Sequence, residues 1–353
     1  MSSSIDPKEV LVSTPRQGDT AQPPPAVLLQ MMTGYWLSQA LHTVASLGIA
    51  DLLANGERSA EDLAAASGAN EPALYRVMRA LASAGVFSEV KPRQFALSPL
   101  ADLLRSDVPG SMRSLALLYA EEQYRAWGDL LHSVRTGEPA FEARYGMSYF
   151  DYLAAHPDAD AVFNDAMTGW SRQVASGVAD TYDFSPFTTI VDVGGGYGAL
   201  LASVLQRTPD ARGVLFDLPH VVDGAHVVLQ ASGVLDRCEL VGGDFFAAVP
   251  EGGDAYILAQ ILHDWDDARC ITILQRIREA IPPHGRLLIV ELVIPPTNEP
   301  SFGKWLDVHM LVLLSGRERT INEYAALFEA AGFSLGQVVP TQPGPSVIEA
   351  IPA

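Results

Sequence analysis

One stretch of this chain constrains its fold more than any other: residues 190–205 read IVDVGGGYGALLASVL. A short apolar run comes first, then a run of glycines that includes Gly194 and Gly196, then apolar residues at helical spacing. This order predicts a buried strand, a tight turn and a helix, an arrangement that commonly binds a nucleotide. A plain tight turn is the alternative, and the turn alone does not say whether phosphates lie there.

Short apolar runs continue to alternate with helical stretches after this turn. Four of them predict further strands: RGVLFDLP, CELVGGDFF, DAYILAQILHDW and GRLLIVELVIP. This rhythm predicts an α/β domain over residues 181–353, with a parallel sheet and helices on both faces. Ligands of such sheets bind beyond the carboxyl ends of the strands, so polar residues at these ends are candidates for a site.

Acidic residues stand at the ends of the first three predicted strands and indicate which nucleotide binds. Asp192 precedes the glycines, where a carboxylate suits an ammonium group better than a pyrophosphate. Asp217 can accept both hydroxyls of a ribose, and Asp244 with Phe245 can bind and cover an adenine. S-adenosylmethionine carries these three groups and no phosphate. The pattern therefore predicts an S-adenosylmethionine site, although each acid alone would also serve as a turn or cap residue.

The N-terminal part, residues 26–110, follows a different pattern. Ser59 caps one predicted helix and Pro72 opens another, and the runs AGVFSEV and RQFALSP predict the two strands of a wing. Winged-helix domains often bind DNA, so a regulator that senses S-adenosylmethionine is one hypothesis. Residues 59–86 carry a net charge of −1, however, and a DNA-binding helix needs basic neighbours. A structural role for this domain is favoured.

Apolar residues recur at helical spacing from Val27 to Leu53 and predict one long helix. Its apolar surface, which includes Tyr35 and Trp36, is broad for a helix with one neighbour. An ordinary core helix and a helix shared with a second subunit both remain open. Residues 1–25, rich in Ser, Pro, Gln and Thr, predict a disordered tail.

Charge and composition exclude several classes of partner. The formal net charge is −19, and we find no basic patch that would attract nucleic acid or an anionic membrane. The two cysteines, Cys238 and Cys270, form neither a C-x-x-C pair nor a disulfide framework. The N-terminus lacks the apolar core of a signal peptide, and no apolar run reaches the roughly 18 residues of a membrane span. We therefore expect a cytoplasmic protein.

Five motifs, DVGGGYG, FDLPHVV, GGDFF, LHDWDD and GRERT, occur in this order along the chain. Their order and spacing resemble the small-molecule O-methyltransferases of the plant caffeic-acid and animal hydroxyindole type, which have bacterial relatives in secondary metabolism. The resemblance covers the chain from about residue 30 to its end. It implies a winged-helix dimerisation domain, a helical linker over residues 111–180 that forms part of the acceptor pocket, and a Rossmann-like catalytic domain. It also implies a homodimer in which a helix of the partner subunit contributes to the pocket.

The same resemblance implies the chemistry. His263 would be the general base, with Glu291 and Glu318 orienting and polarising its ring. A phenol with a pKa near 10 and an imidazole with a pKa near 6.5 differ by about 3.5 pKa units, or roughly 5 kcal/mol, and neighbouring carboxylates narrow that gap. An aliphatic alcohol is far less acidic, so the expected acceptor is a small phenolic or enolic aromatic compound. The second product would be S-adenosylhomocysteine.

The resemblance also implies further site residues. To the cofactor set it adds Leu218, Gln260 and Trp265, and it gives seven acceptor residues: Phe163, Met167, Trp170, Asp264, His309, Met310 and Leu314. Stripes at helical spacing, such as the first three of these seven, are also typical of a core. Plant members have a lysine where this chain has Ala259 and an asparagine where it has Leu314, so some contacts to cofactor and acceptor remain open.

Two alternatives concern the reaction itself. The run HDWDD, residues 263–267, would also suit a metal ion, but Asp266 and Asp267 directly precede a predicted helix, where acids favour the N-terminus. No metal is therefore expected. The same fold and cofactor could also serve methylation of nitrogen or carbon, or no methylation at all. The presence of His263 together with both glutamates favours O-methylation.

Overall fold

A computed structural model describes residues 23–341 and 344–353. They form two units, one with residues 23–128 and 150–169 and the other with the remaining described residues from 129 onwards. The predicted disordered tail over residues 1–25 lies outside the described residues as far as residue 22. Pro24 and Pro25 belong to the first turn of a helix, a position that suits proline.

Three helices occupy the stretch where the sequence predicted one: α1 (Pro24–Met32), α2 (Gly34–Ser46) and α3 (Ile49–Leu52). The prediction of a single helix was therefore wrong. Thr33 interrupts it, because its hydroxyl donates to the carbonyl of Leu29 at 2.8 Å, and such local bonds bend helices. Gly48 interrupts it again with φ of 63°, a left-handed conformation that glycine adopts readily.

The winged-helix elements come next: β1 (Arg58–Ser59), α4 (Ala60–Ser67), α5 (Glu71–Ser83), β2 (Phe87–Lys91) and β3 (Gln94–Leu97). Their order confirms the predicted pattern. Ser59 caps α4, since its hydroxyl accepts the N–H of Asp62 at 3.0 Å. Helix α5 begins one residue before Pro72 and is capped by the side chain of Asn70. The three strands pair in the order β1-β3-β2.

Helix α6 (Pro99–Asp102) follows the wing. The stretch predicted to be helical, residues 111–180, contains α7 (Arg113–Leu118), α8 (Glu122–Trp127), α9 (Leu130–Thr136), α10 (Ala140–Tyr145), α11 (Tyr149–Ala155) and α12 (Pro157–Thr181). Helix α12 passes from one unit to the other, because its residues from Trp170 onwards belong to the second unit. Among the described residues, no helix combines the length and apolar character needed to cross a bilayer.

Seven strands form the sheet of the second unit: β4 (Thr189–Val193), β5 (Arg212–Asp217), β6 (Cys238–Gly242), β7 (Ala255–Ala259), β8 (Arg286–Glu291), β9 (Phe333–Pro340) and β10 (Ser346–Pro352). Their order is β6-β5-β4-β7-β8-β10-β9. The five predicted strands, β4 to β8, are parallel. The last two were not predicted and pair antiparallel, as a short connection between them requires. The sheet is therefore mixed rather than wholly parallel.

Five helices complete the unit: α13 (Ala199–Arg207), α14 (Pro219–Ala231), α15 (Asp267–Ala280), α16 (Phe302–Leu313) and α17 (Ile321–Ala330). Helices cover both faces of the sheet. On β4, Ile190 packs into a core with α12, α13 and α14, while Val191 packs into a second core with α15 and α17. Neighbouring strand residues point to opposite faces, which explains the nearly continuous apolar runs. Polar groups are left to the carboxyl ends of the strands.

Candidate active site

The turn after β4 leaves its backbone open to a ligand. Gly194, Gly196 and Gly198 have φ of 71°, 57° and 79°, values that residues with side chains rarely adopt. Gly195 is needed for a different reason, since a Cβ there would lie 2.6 Å from the carboxylate of Asp192. At Gly196 a Cβ would meet no atom within 4 Å. The turn is therefore open to a ligand at Gly196.

Asp192 lies beneath this turn rather than at its surface. The alternation along β4 turns its side chain toward α13, and within the described residues neither carboxylate oxygen has a hydrogen-bond partner. Burial, together with the charge of Asp217, raises the pKa of Asp192 to about 7. Gly195 covers this carboxylate, since a Cβ at that position would lie 2.6 Å from it. A contact between Asp192 and the ammonium group of the cofactor stays a prediction.

Asp217, the last residue of β5, is bonded to the same turn. Its Oδ2 accepts the N–H of Gly196 at 2.8 Å, and its Oδ1 accepts the N–H of Leu218 at 2.6 Å. Each carboxylate oxygen keeps a further lone pair for a ligand hydroxyl. Asp217 thus holds the open residue of the turn and still offers acceptors to a ribose, while Leu218, 47% exposed, adds an apolar surface beside it.

Aromatic residues flank the turn on its other side. Phe245 lies 3.7 Å from the Cβ position of Gly194, and its ring meets Phe246 and Trp265 edge-on at centroid distances of 4.9 Å and 6.4 Å. Asp244 stands two residues beyond β6 and accepts the N–H of Phe246 at 2.9 Å. A carboxylate and a flat apolar surface therefore adjoin each other, as an adenine site needs. Trp265 forms part of that apolar wall.

Gln260 occupies a strained position directly after β7. Its φ is 56°, and its backbone N–H donates to the carbonyl of Val290 at 3.0 Å. Strain of this kind persists where the surrounding structure enforces it, and it is common at functional sites. A contact between Gln260 and the cofactor stays a prediction, but the residue adjoins the turn that carries His263.

That turn, Leu262–Asp264, brings His263 to two glutamates from distant parts of the chain. Nδ1 of His263 lies 2.8 Å from Oε1 of Glu318 and 3.8 Å from Oε2 of Glu291. On the other side of the ring, Nε2 lies 3.5 Å from Oδ1 of Asp264. A carboxylate next to Nδ1 holds a proton on that nitrogen. In the neutral ring Nε2 is therefore the basic nitrogen.

The surrounding charges shift the pKa of this histidine. Burial alone would lower it, but Glu291, Asp264 and Glu318 outweigh burial and raise the pKa of His263 to about 10. Burial also raises the pKa of Glu291 to about 7, against the attraction of the imidazolium. Asp264 has a raised pKa for the same reason, burial. The site stabilises an imidazolium, and the histidine is a stronger base than a free one.

Helix α16 presents three of the predicted acceptor residues in the same unit. Met310 is 6% exposed, and Leu314 follows the last residue of the helix. Burial, and then the charge of His263, lower the pKa of His309 to about 4. The ring of His309 is therefore neutral at pH 7 and offers one donor and one acceptor without charge.

The predicted stripe on α12 packs against two different cores. Phe163 and Met167 pack against a small core of the first unit that contains Leu115 and Leu118. Trp170 packs against the core of the second unit. Packing within a core is therefore a sufficient explanation for these three residues, and their contact with an acceptor stays a prediction.

Two acids of the HDWDD run, Asp266 and Asp267, bind other groups of the protein. Asp266 caps α15 through a backbone N–H at 2.9 Å, and Asp267 pairs with Arg319 at 2.9 Å. Atoms able to bind a metal do lie within 4.8 Å of one another, but they belong to the histidine and its two glutamates. The 2.8 Å contact in that group has the length of a hydrogen bond.

Gly316, the first residue of the GRERT loop, belongs to the site although the sequence did not predict a role for it. A Cβ there would lie 1.9 Å from the carbonyl oxygen of His263 and 2.5 Å from the carbonyl carbon of Asp264. The loop therefore packs directly on the backbone of the histidine turn, and this contact delivers Glu318 to the ring. The available signal was that Gly316 begins the motif that contains the site residue Glu318.

Gly316→Ala is expected to destabilise the protein by about 1–3 kcal/mol, the usual effect of overpacking, since one of two backbones must move. Thermal unfolding followed by circular dichroism measures this. Gly303→Ala is the matched control. Gly303 lies in α16, and a Cβ there would be 3.4 Å or more from its nearest neighbours. The control should keep the wild-type melting temperature or raise it. An unchanged melting temperature for Gly316→Ala would contradict the contact.

Comparisons with known proteins match both parts of the chain. Residues 127–334 match the model of an O-methyltransferase domain, and residues 29–107 match an O-methyltransferase dimerisation domain. A phenazine O-methyltransferase from Lysobacter antibioticus is 57% identical over 94% of this chain and 97% of its own length. A phenazine-1-carboxylate N-methyltransferase from Pseudomonas aeruginosa is 35% identical over 88% of this chain and 92% of its own.

A solved structure extends the comparison to ligands. An O-methyltransferase from neocarzinostatin biosynthesis, in complex with S-adenosylhomocysteine and 1,4-dihydroxy-2-naphthoic acid, is 31% identical. It matches with a TM-score of 0.77 over 90% of this chain and 96% of its own. The similarity therefore covers both domains of the chain. It includes a relative whose structure contains S-adenosylhomocysteine together with an aromatic compound.

Proposed function

The chain belongs to the family of S-adenosylmethionine-dependent O-methyltransferases with an N-terminal dimerisation domain, and on that premise we propose that it methylates a hydroxyl group of a small aromatic natural product, with His263 as general base. The family uses S-adenosylmethionine and forms homodimers. The observation that carries the proposal is the buried pair of His263 and Glu318, 2.8 Å apart at the carboxyl edge of the sheet.

The residues around the glycine turn fit the cofactor. Asp217 offers carboxylate lone pairs next to the open residue Gly196, and Asp244 with Phe245 supplies a polar and an apolar partner for a purine. When bound, S-adenosylmethionine supplies an electrophilic methyl group on a positively charged sulfur. The side chains of this turn bind and orient, and none of them needs to act as a nucleophile.

Proton removal is the task of His263. Nε2 takes the proton of the acceptor hydroxyl, while Nδ1–H remains bonded to Glu318. The carboxylates that raise the pKa of the ring stabilise the imidazolium formed in this step. His309, whose ring is neutral, can bind a second polar group of the acceptor.

The acceptor we propose is a hydroxylated fused aromatic compound of the phenazine class. The support is the 57% identity with a phenazine O-methyltransferase over nearly the whole of both chains. N-methylation is the second candidate, because a relative at 35% identity is a phenazine-1-carboxylate N-methyltransferase. A ring nitrogen reacts through a free lone pair and loses no proton. A general base would then be unnecessary, which is why the histidine pair favours oxygen.

A methylation assay with S-adenosylmethionine tests the proposal. The acceptors are a hydroxyphenazine, a phenazine carboxylate without hydroxyl, and a simple phenol. Products are identified by mass spectrometry together with proton NMR, because the methyl ether and the N-methylphenazinium formed from a hydroxyphenazine give ions of the same mass. We expect a neutral methyl ether from the hydroxyphenazine, at the same rate with and without chelator. A cationic N-methylphenazinium as the main product from both phenazines would overturn O-methylation. Loss of activity in chelator would overturn the metal-independent mechanism.

We further propose that α1 and α2 form much of the dimer contact. Their apolar side chains are exposed in the single chain, with Met32 59% and Trp36 61% exposed. The double variant Met32→Glu/Trp36→Glu should be largely monomeric in light scattering, since burying two carboxylates is costly. Val227→Glu is the control, because Val227 on α14 is 75% exposed. A stable dimer in the double variant would refute this interface.

We also propose a cytoplasmic location. The support is that both cysteines, Cys238 and Cys270, are free thiols, which is typical of a reducing compartment.

A further inference from the structure

Arg319 is a fully buried arginine in the GRERT loop, with 0% exposure. Its two terminal nitrogens donate to the carbonyl oxygens of Leu262 and Trp265, each at 2.9 Å. Its Nε and one terminal nitrogen also donate to Oδ1 of Asp267, at 3.1 Å and 2.9 Å. One guanidinium therefore joins two backbone carbonyls to a carboxylate.

The two carbonyls bracket the proposed base. Leu262 directly precedes His263, and Trp265 follows Asp264, so the guanidinium holds both ends of the turn. From the opposite side, Oε1 of Glu291 accepts the N–H of Leu262 at 3.0 Å and that of His263 at 3.4 Å. The turn is thus held by a cation at its carbonyls and by an anion at its amides.

We propose that Arg319 is a positioning residue, which clamps this turn so that the ring of His263 keeps its place against Glu318. The inference rests on the proposed function, since Arg319 acts only through His263. Arg319 also lies one residue after Glu318, so the same short loop supplies the carboxylate and the clamp. A displacement of the loop would therefore misplace both partners of the ring.

Burying the guanidinium of Arg319 costs free energy, and packing alone does not explain why an arginine occupies this position. Removing a full charge from water is unfavourable unless close partners compensate for it. Here the carboxylate partner, Asp267, has a side chain that is 45% exposed, so that the neutral carbonyls of the turn provide the buried contacts. Only a planar fork reaches two carbonyls and a carboxylate together, and a lysine ammonium cannot.

Arg319→Lys keeps the positive charge but loses the planar guanidinium, whose several N–H groups donate in different directions. We expect kcat to fall on the order of 10- to 100-fold, the effect of a small misplacement of a reacting group. Affinity for S-adenosylhomocysteine should change much less than kcat, because the glycine turn and Asp217 are not touched and Trp265 loses only a bond to its backbone carbonyl. The apparent pKa in the kcat profile should fall, since the ring moves away from the carboxylates that raise it. A role in stability alone would change the melting temperature and leave the pH profile as it is.

Arg317→Lys is the matched control. Arg317 bonds the same Asp267 from the surface, but its side chain is 46% exposed, and it makes no bond to the carbonyls of Leu262 or Trp265 within the described residues. It should keep the kcat and the pH profile of the wild type. An equal loss in both lysine variants would overturn the clamp, because it would make the surface charge of Asp267 the cause.

A double-mutant cycle with His263→Ala completes the test. If Arg319 acts through the histidine, Arg319→Lys/His263→Ala should be no slower than His263→Ala alone. Fully multiplied losses would overturn the clamp, whereas a fully active His263→Ala would overturn the general base instead. If circular dichroism shows that Arg319→Lys is unfolded, Asp267→Asn takes its place in the cycle with a smaller expected loss. Wild-type kcat and pH profile in a folded Arg319→Lys would also overturn it.

Discussion

Replacing Asp217 by alanine, or Gly196 by valine, is expected to abolish the binding of S-adenosylhomocysteine while leaving a folded dimer. Asp217→Ala removes the acceptors proposed for the ribose hydroxyls and also the bond that holds the N–H of Gly196 at 2.8 Å. Gly196→Val places a branched side chain in the open space at the turn and forces it into φ of 57°. Both changes act on the same residue of the turn from different sides.

Two matched variants distinguish loss of the cofactor contacts from backbone strain and from loss of charge alone. Gly233→Val has the same backbone strain, with φ of 70° and open space around its Cβ, but it precedes the amino end of β6 and should bind normally. Asp217→Asn keeps the shape and loses the charge, so we expect it to bind more weakly than wild type and more tightly than Asp217→Ala. Titration calorimetry measures all four variants. Wild-type affinity in Asp217→Ala would remove Asp217 from the cofactor site.

The central strands were predictable because burial on both faces leaves a continuous apolar signal. Each of β4 to β8 is such a run, and the polar residue that follows it marks the edge where a ligand binds. The hairpin of β9 and β10 was missed because exposed Ser334 and Gln337 interrupt the apolar residues of its first strand, so that no continuous apolar run marks it. The break at Thr33 was missed because a side-chain bond to a carbonyl is invisible to apolar periodicity.

The residues of the site also divide into those that the sequence predicted and those that it did not. The resemblance to a known family was enough to predict the trio of His263, Glu291 and Glu318, which the fold brings together from positions far apart in sequence. Motif spacing was not enough to predict that Asp192 faces α13 beneath the turn, since that depends on the pleat of β4. Gly316 and Arg319 escaped detection for a related reason. The contacts that tie them to the histidine turn are to backbone atoms of that turn, and backbone contacts leave no pattern of residue types.

The raised pKa of His263 changes the energetics expected from the sequence. A gap of about 3.5 pKa units to a phenol is closed when the imidazole itself titrates near 10. At pH 7, however, His263 is then mostly protonated in the unliganded protein. Below its raised pKa the basic form is lost as pH falls, so the rate on a phenol should rise with pH, by about tenfold per unit at its steepest. The positive charge of bound cofactor lowers the pKa of the ring and moves this rise to lower pH.

His263→Ala is expected to lower kcat by about 10²–10⁴-fold, the usual contribution of a general base, with little change in affinity for S-adenosylhomocysteine. The pH dependence of this defect is a weak test, because His263 and an ordinary phenol titrate near the same pH. Acceptor acidity is the sharper variable, measured as rates on phenols of graded pKa at one fixed pH. The defect should be largest for weakly acidic phenols and shrink for those that are already ionised, since a phenolate has no proton to give.

Variants of the two glutamates show whether the histidine acts as a base or only as part of the pocket wall. In Glu318→Gln an amide oxygen can still accept from Nδ1 of His263, and in Glu291→Gln it can still accept the backbone N–H of Leu262. Both should lose less than His263→Ala, because shape is kept and only the charge that raises the pKa of the ring is removed. Their defects should also shrink as the acceptor becomes more acidic. If the His263→Ala defect stays the same across the whole series of phenols, proton removal is not what His263 does, and its place in the site is one of binding.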